Sequence, residues 1–292
     1  MSERFAKLID LMATLRAPNG CPWDRKQTHE SLKPYLLEEA YEVLETIDHR
    51  DTAKLKEELG DVLLQVIFHS QIASESGTFT IDDVVDHLAA KLVRRHPHVF
   101  GAPDTATKPA TGEQVLSQWE EIKRAERQAA GGTQSALDGV PKALPALLRA
   151  YQVQARASRV GFDWSHDATG LADVFKKIAE EIGELQAALA AAAAAPSVSH
   201  QDDVAGELGD LLFSLVNLAR FLKVNPEDAL RLSTNRFVDR FTLVESQAAE
   251  QQRLLSGMTA SELDGLWENA KRRLRESAVQ SDSAATAKDI PS

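Results

Sequence analysis

Eight acidic residues of this chain form four pairs, and the two members of each pair stand three positions apart. The pairs are Glu39 with Glu42, Glu58 with Asp61, Glu181 with Glu184, and Glu207 with Asp210. On a helix, residues three apart project from the same face, so each pair can reach one ion. Crowded carboxylates repel one another or take up protons unless a divalent cation neutralises them. All-oxygen ligation favours Mg²⁺ or Mn²⁺ over zinc.

The aspartates of these pairs lie in apolar surroundings. Asp61 and Asp210 each follow a Leu-Gly dipeptide and precede an apolar run. Runs that are apolar all round are typical of a protein core, so we expect both aspartates to be buried. An isolated acidic pair more often forms a solvated helix face. The apolar context is what favours a metal site here.

Basic and aromatic residues at helical spacing accompany both acidic sets. They are Lys91, Arg95, Trp119 and Lys123 in the first half of the chain, and Arg236, Arg240, Trp267 and Lys271 in the second. Arginine and lysine neutralise phosphate oxygens, and an indole ring can stack on a base. A tryptophan at helical spacing is otherwise a common core residue. Together with a magnesium ion, this set suits a polyphosphate ligand.

The acidic and basic sets recur in the same order, which indicates a duplicated unit. Gly20-Cys21-Pro22-Trp23 also matches Gly161-Phe162-Asp163-Trp164. We therefore predict a first module over residues 1–130, a linker over 131–141, a second module over 142–276 and a disordered tail over 277–292. A run of alanines from Ala187 to Ala195 predicts a longer helix in the second module.

Helical periodicity predicts the elements that position these residues. Apolar residues recur at helical spacing over 5–15, 32–47, 55–72 and 81–93, with a further helix around Trp119. Capping boxes are predicted at Thr80 with Asp83 and at Thr259 with Glu262, and a helix start at Asn225-Pro226. The fifteen residues between Glu42 and Glu58 allow two antiparallel helices. We expect an all-α fold of two tandem helical bundles.

Composition excludes several classes of protein. The net charge of −11 argues against sequence-independent binding to nucleic acid. Cys21 is the only cysteine, which excludes an intrachain disulfide and fits a reducing compartment. The N-terminal segment has no apolar core of a signal peptide, and no apolar run is long enough to span a membrane. We therefore expect a cytoplasmic protein without nucleic-acid or membrane partners.

The assembled motifs resemble the tandem bacterial form of the MazG family of nucleoside triphosphate pyrophosphohydrolases, over about residues 5–276. The acidic motifs that carry the resemblance are Glu38-Glu39-Ala40-Tyr41-Glu42 with Glu58-Leu59-Gly60-Asp61, and Glu180-Glu181-Ile182-Gly183-Glu184 with Glu207-Leu208-Gly209-Asp210. The segments Arg94-Arg95-His96-Pro97-His98-Val99-Phe100 and Gly161-Phe162-Asp163-Trp164 are also similar to that form.

The resemblance implies a reaction and a set of roles. It implies Mg²⁺-dependent hydrolysis of ribo- and deoxynucleoside triphosphates of broad base range to a monophosphate and pyrophosphate, as house-cleaning of nucleotide pools. Carried onto this chain, it makes Glu181, Glu184, Glu207 and Asp210 metal ligands of the second module. Both modules keep all four acidic positions, so both could hydrolyse, but the resemblance implies that the second is the main catalyst. It makes Arg236, Arg240 and Lys271 phosphate ligands, and Trp267 a contact of the nucleoside. Position 236 is commonly lysine in the family, and arginine keeps the charge with a different geometry. A homodimer is also implied.

In the mechanism that we expect, a water activated within the carboxylate cluster attacks in line, while the cations offset developing charge. Glu38 and Glu180, each beside a metal-ligand position, are the candidates for the general base.

Other classes fit the sequence less well. A di-iron bundle needs Glu-x-x-His, and no histidine has glutamate three residues before it. His166-Asp167 resembles a metal dipeptide of HD-type phosphohydrolases but lacks its companion motifs, and we interpret it as a surface pair. A Nudix signature and a Walker glycine loop are both missing. The remaining alternative is a non-catalytic helical module that binds nucleotide or regulates a partner.

Overall fold

The fold of the chain is given by a computed structural model that describes residues 3–101, 109, 111–129, 135–195 and 197–288. Helices and turns, with no strand, make up these described residues, which confirms the predicted all-α class. The chain divides into two compact units, residues 1–132 and 133–292. The division falls inside the segment predicted as a linker, whose residues 131–134 lie outside the described part.

Unit 1 contains seven helices within its described residues. They are α1 (Glu3–Arg16), α2 (Pro22–Lys26), α3 (Lys33–Asp48), α4 (Thr52–Glu75), α5 (Ile81–Arg95), α6 (Pro97–Phe100) and α7 (Gly112–Ala129). Helices α3 and α4 pack against each other and are joined by a three-residue turn, so they run antiparallel as predicted. Arg50, with φ of 54°, makes the left-handed step in this turn.

The core of unit 1 lies where α1, α4 and α5 meet. Its buried side chains are Met12, Leu32, Ile67, Phe68 and Ile81. Burial of large apolar side chains is the main stabilising contribution to such a bundle. Helix α4 carries Glu58 and Asp61, and it contributes Ile67 and Phe68 to this core. Packing of these two side chains fixes the C-terminal half of α4.

Unit 2 contains five α-helices and a 3-10 turn within its described residues. They are α8 (Ala146–Arg159), α9 (Ala168–Ala194), α10 (Val198–Phe221), α11 (Pro226–Glu250), the 3-10 turn Leu255–Gly257 and α12 (Ala260–Lys288). Helix α10 packs against α9 and α8, while α11 packs against α12 and α8. A buried cluster of Val244, Ala248, Leu266 and Ala270 joins α11 to α12.

The alanine-rich insertion lengthens a helix, as predicted. Helix α9 has 27 residues and ends at Ala194, whereas its counterpart α3 has 16 residues. Alanine has the most favourable helix propensity, so the helix continues without losing stability. Pro196, which follows, lies outside the described residues, and Ser197 caps the start of α10 through the amide of His200.

The predicted helix starts are confirmed. Thr80 and Asp83 form a reciprocal capping box at α5. At α12, Glu262 accepts hydrogen bonds from the amide and hydroxyl of Thr259, and its own amide donates to Thr259. Asn225 caps α11 with Pro226 in the first turn. These caps satisfy backbone amides that the first helical turn leaves unpaired.

The last helix of the chain reaches into the segment predicted as a tail. Helix α12 extends to Lys288, and the disordered tail predicted from residue 277 stays a prediction. Residues 289–292 of the predicted tail lie outside the described part.

In the described part of the chain, no helix has the length and apolar character needed to cross a membrane.

Candidate active site

Unit 1 brings its predicted acidic residues together. Glu39 and Glu42 on α3 and Glu58 on α4 place carboxylate oxygens within 4.8 Å of one another. Burial, together with the charges of Asp61 and Glu42, raises the pKa of Glu39. Asp61 therefore belongs electrostatically to this cluster. A raised pKa of this origin means that burial and nearby like charges disfavour the charged form of the carboxylate.

Unit 2 forms the equivalent cluster from α9 and α10. Oxygens of Glu181, Glu184 and Glu207 lie within 4.8 Å of one another. Desolvation and the charge of Glu181 raise the pKa of Glu184, against the opposing charge of Lys177. Asp210 lies one turn beyond Glu207 and, with Glu181, lines a cavity in this unit. The predicted pairing of acidic residues from two helices is thus present in both units.

The expected burial of the two aspartates is wrong. Asp61 is half-buried and Asp210 is exposed, and leucines beside them, such as Leu59 and Leu208, are exposed as well. The buried members of the clusters are Glu58 and Glu181, at 5% and 4% exposure. The reason is that the neighbouring helices within the described part of the chain leave one side of α4 and of α10 open, so part of each apolar run faces outward.

A lysine that the sequence analysis did not identify accompanies the second cluster. The ammonium of Lys177 lies 2.7 Å from Glu181 and 2.8 Å from Glu180. Hydrogen bonds to Glu180 and Glu181 raise the pKa of Lys177, so it carries a positive charge at neutral pH. Lysine four residues before a glutamate on one helix face was the available signal. In unit 1, Lys54 lies 3.6 Å from Glu58 instead.

The predicted basic residues of unit 2 lie on α11 and α12. The guanidinium of Arg240 stands 5.8 Å from the centre of the Trp267 ring, and Lys271 donates to Glu268 at 2.7 Å. Arg236 is exposed. The cavity beside the acidic cluster is lined by none of Arg236, Arg240, Trp267 and Lys271. Their assignment as phosphate and nucleoside contacts stays a prediction.

In unit 1, the predicted basic residues lie on α5 and α7. Arg95 donates to Glu126 at 2.6 Å, and Arg94 donates to the same carboxylate. These two arginines lower the pKa of Glu126 to about 2. The ring of Trp119 meets His96 edge-on at 4.9 Å. Lys91 and Lys123 lie on the same two helices, and the predicted phosphate-binding role of all four residues is not tested by this geometry.

The cavity of unit 2 has a volume of about 630 Å³. Its walls come from α8, α9, α10 and the segment before α9, which carries Phe162 and Trp164. Gln154, Asn217 and Lys177 supply polar atoms to an otherwise largely apolar and aromatic lining. Volumes of this size are typical of small-molecule sites. Gln154 and Asn217 belong to no acidic or basic motif, so the sequence alone gave no signal for them.

A buried ion pair fixes one wall of this cavity. Arg220 on α10 donates to Asp163 at 2.5 and 2.7 Å and also to Asn217. Burial raises the pKa of Asp163, but hydrogen bonds from Arg220 and Ser158 outweigh it, so the pKa lies below its ordinary value. His166 is exposed, which agrees with its interpretation as a surface residue. The pair ties the segment that carries Trp164 to α10.

Comparison with known proteins identifies the repeated unit. The model of the MazG nucleotide pyrophosphohydrolase domain matches residues 27–100 and again residues 170–242. The chain is 48% identical over 269 residues to the nucleoside triphosphate pyrophosphohydrolase/pyrophosphatase MazG of Thermotoga maritima, covering 91% of this chain and 95% of that one. It is 42% identical over 272 residues to the nucleoside triphosphate pyrophosphohydrolase of Escherichia coli K12, covering 93% and 98%.

Proposed function

The chain belongs to the MazG nucleotide pyrophosphohydrolase family, and on that premise we propose that it hydrolyses nucleoside triphosphates in a magnesium-dependent reaction. The bond broken lies between the α and β phosphates, and water adds to give a nucleoside monophosphate and pyrophosphate. The observation that supports this most directly is the cluster of Glu181, Glu184 and Glu207 beside a cavity of about 630 Å³.

The acidic residues present fit a magnesium ion. Every donor in the second cluster is a carboxylate oxygen, and hard divalent cations prefer such ligands. Desolvation and the nearby charge of Glu181 raise the pKa of Glu184, which means that its negative charge is disfavoured without a cation, and this supports the proposal. We propose Glu181, Glu184, Glu207 and Asp210 as the ligands of this ion, with Mn²⁺ as a substitute. When bound, the cation neutralises phosphate oxygens and stabilises the charge that develops on them.

The carboxylates and Lys177 have different proposed roles, which follow from their positions. The carboxylates of α9 and α10, which lie beside the cavity, would hold the cation that binds the triphosphate. Lys177 supplies a positive charge beside them, within 2.7 Å of Glu181. A lysine ammonium is a compact donor that suits a phosphate oxygen. We propose that Lys177 exchanges its contact with Glu181 for one with the substrate.

The candidates for the general base are Glu180 and the clustered carboxylates. Lys177 lowers the pKa of Glu180, and a carboxylate of low pKa takes up a proton less readily. This favours one of the clustered carboxylates over Glu180. Turnover that is unchanged in a Glu180→Gln variant supports that choice, whereas a strong loss in turnover with a normal KM restores Glu180 as the base. The corresponding residue of unit 1 is Glu38.

We further propose broad base tolerance and a role in nucleotide-pool house-cleaning. The cavity is lined mainly by apolar and aromatic groups, which contact any base by its faces.

A homodimer is the assembly that we propose. Both units leave an apolar stripe exposed on the helix that carries the second acidic pair: Leu59, Leu63 and Val66 on α4, and Leu208, Leu212 and Leu215 on α10. Exposed apolar patches of this kind are common at protein interfaces. A sedimentation experiment that yields a dimer supports this proposal, and a monomer at micromolar concentration contradicts it.

The test of the proposed function is a pyrophosphate-release assay. Each of a panel of ribo- and deoxynucleoside triphosphates is incubated with the full chain and Mg²⁺, and parallel reactions contain a chelator. We expect equal amounts of monophosphate and pyrophosphate, formed only with the metal present. Release of inorganic phosphate instead would place the cleavage at another bond. Nucleotide binding without hydrolysis would favour the non-catalytic alternative.

A further inference from the structure

We propose that His29 and His69 form a proton-operated link in unit 1, which ties the segment before α3 to α4 at neutral pH and opens when both imidazoles are protonated. The link lies apart from the acidic cluster, since His69 stands eight residues after Asp61 on α4. A link of this kind does not depend on the proposed function.

The two imidazoles hydrogen-bond to each other. Their Nδ1 atoms lie 2.8 Å apart, the ring planes are tilted by 6°, and the ring centres are 5.1 Å apart. Parallel rings that stack face to face keep their atoms about 3.5 Å apart or more, whereas these two nitrogens approach much more closely. The rings therefore meet nitrogen to nitrogen, as an N–H···N hydrogen bond requires.

The pair joins two elements that are far apart in sequence. His29 lies in the turn of residues 27–32 that leads into α3, and His69 lies on α4. In the described structure, the other hydrogen bonds of residues 28–31 stay within the turn or reach the start of α3. The imidazole pair therefore holds the middle of the turn to α4.

The two ends of the turn are fixed independently of the pair. At its start, Arg16 donates to the carbonyl oxygen of Gln27 at 3.2 Å. At its end, Leu32 is 1% exposed and belongs to the core of unit 1. Breaking the imidazole pair should therefore loosen the turn between these two anchors without unfolding the unit.

The number of protons on the pair decides whether the bond exists. In the neutral pair, one imidazole donates its Nδ1 proton and the other accepts it. The first added proton can go to Nε2 of the donating ring, which keeps the bond and makes it charge-assisted. The second must go to the accepting Nδ1, and a protonated imidazole only donates. Uptake of the second proton therefore breaks the link.

The surroundings of His69 oppose this second proton at neutral pH. Burial and the charge of His29 lower the pKa of His69 from its ordinary value of 6.5. A lowered pKa of a basic group means that the fold favours its neutral form, so the stabilisation is present above the ordinary value and is lost as the pH falls below it. The link is therefore closed at neutral pH and opens in mild acid.

The elements packed around the pair supply few charges among the described residues. Glu30, beside His29, interacts with His29 and with Lys33 at the start of α3. On the side of α1, Arg16 is paired with Glu75 at 2.7 and 2.8 Å. The side chains of α2 and α5 that contact the core residues of α4 are aromatic or apolar. Because Glu30 is exposed, solvent screens its charge, and the imidazoles themselves dominate the titration.

Unit 2 has an imidazole at neither position. Counted from the matching tryptophans and glutamates of the two units, Gly170 stands at the position of His29 and Leu218 at that of His69. Gly170 is already part of α9, so helix replaces the turn in unit 2. The proposed link is therefore a property of unit 1, and unit 2 is an internal control in the full chain.

Hydrogen–deuterium exchange of the full chain, corrected for the intrinsic pH dependence of exchange, tests the link. We expect the protection of residues 27–32 to fall between about pH 7 and about pH 5 by up to about tenfold per pH unit, the limit for uptake of one proton. Protection of α9, α10 and α11 should stay constant. Constant protection of residues 27–32 over the same range would overturn the proposal.

Two variants separate the proton link from simple packing. His69→Asn provides an amide oxygen that accepts from a neutral or a protonated His29, so protection of the turn should no longer depend on pH. His69→Leu, which copies the residue of unit 2, should lose protection at both pH values. If protection in His69→Asn falls with pH as it does in the wild type, protonation of His69 is not the cause and the proposal fails.

Nitrogen NMR of the imidazoles gives a second readout on the wild-type chain, which requires no variant to fold. We expect the pair to take up its two protons in separate steps, the second with a pKa below the ordinary histidine value. Two imidazoles that titrate together at the ordinary histidine value would contradict a shared proton and exclude the link.

Discussion

The two units contain the same acidic residues but surround them differently. In unit 1, Phe68 on α4 belongs to the apolar core, and in unit 2 Asn217, at the matching position of α10, lines a cavity. Lysine contacts also differ, since Lys54 approaches Glu58 at 3.6 Å while Lys177 approaches Glu181 at 2.7 Å. The carboxylates alone therefore do not distinguish the two units. The groups around them do.

The arginines on the later helices differ in the same direction. Arg95 of unit 1 is held by Glu126, whereas its counterpart Arg240 lies over the ring of Trp267. Glu126 stands seven residues after Trp119, and Leu274 takes this position relative to Trp267. In unit 1, Arg95 therefore forms a structural ion pair with Glu126. In unit 2, Leu274 stands at the position of that carboxylate.

The largest stability difference that we expect concerns the buried ion pairs. Asp163→Ala leaves Arg220 buried without its carboxylate, which costs about 3 kcal/mol of stability in unit 2. Glu75→Ala removes the partner of Arg16 in unit 1, but Glu75 is 38% exposed, so about 1 kcal/mol is expected. Amide hydrogen exchange measures the loss in each unit separately. Equal losses would show that burial of the pair does not set its contribution.

A smaller effect is expected from the arginines. Arg240→Ala should raise the KM for a nucleoside triphosphate about tenfold, the effect of one lost charge-assisted hydrogen bond. Arg95→Ala should leave the KM unchanged, because that guanidinium already pairs with Glu126. Steady-state kinetics of both variants decide this. A raised KM in Arg95→Ala alone would reverse the assignment of the units.

The smallest effect is a pH dependence of stability in unit 1. The pKa of Glu126 is lowered to about 2 by the two arginines. A lowered pKa in the folded state means that the pair stabilises the fold above the ordinary glutamate pKa and loses that contribution as the pH falls toward 2. Glu126→Gln should flatten this part of the stability curve by less than about 1 kcal/mol. Denaturant titrations between pH 5 and pH 2 test it, and an unchanged curve contradicts it.

Local rules were sufficient for much of this structure. Periodicity predicted the antiparallel helices, and the Thr80 and Thr259 boxes predicted their helix starts. The three-residue spacing of Glu181 and Glu184 predicted the cluster, because both lie on one helix face.

The cavity depended on contacts that no local rule contains. Gln154 and Asn217 come from α8 and α10, and their meeting depends on how those helices pack. Burial was also mispredicted, since an apolar run such as that following Asp210 shows how hydrophobic a helix is but not how many of its sides are covered. The exposed stripe that includes Leu208 and Leu212 is the result.

The most direct test of the account compares Glu207→Gln with Glu58→Gln in pyrophosphate release from one nucleoside triphosphate with saturating Mg²⁺. We expect Glu207→Gln to lose about 100-fold or more, since even residues that only orient metal ligands contribute 10- to 100-fold. Glu58→Gln should keep a rate near that of the wild type. A normal rate in Glu207→Gln, or a loss confined to Glu58→Gln, would contradict the assignment of catalysis to the second unit.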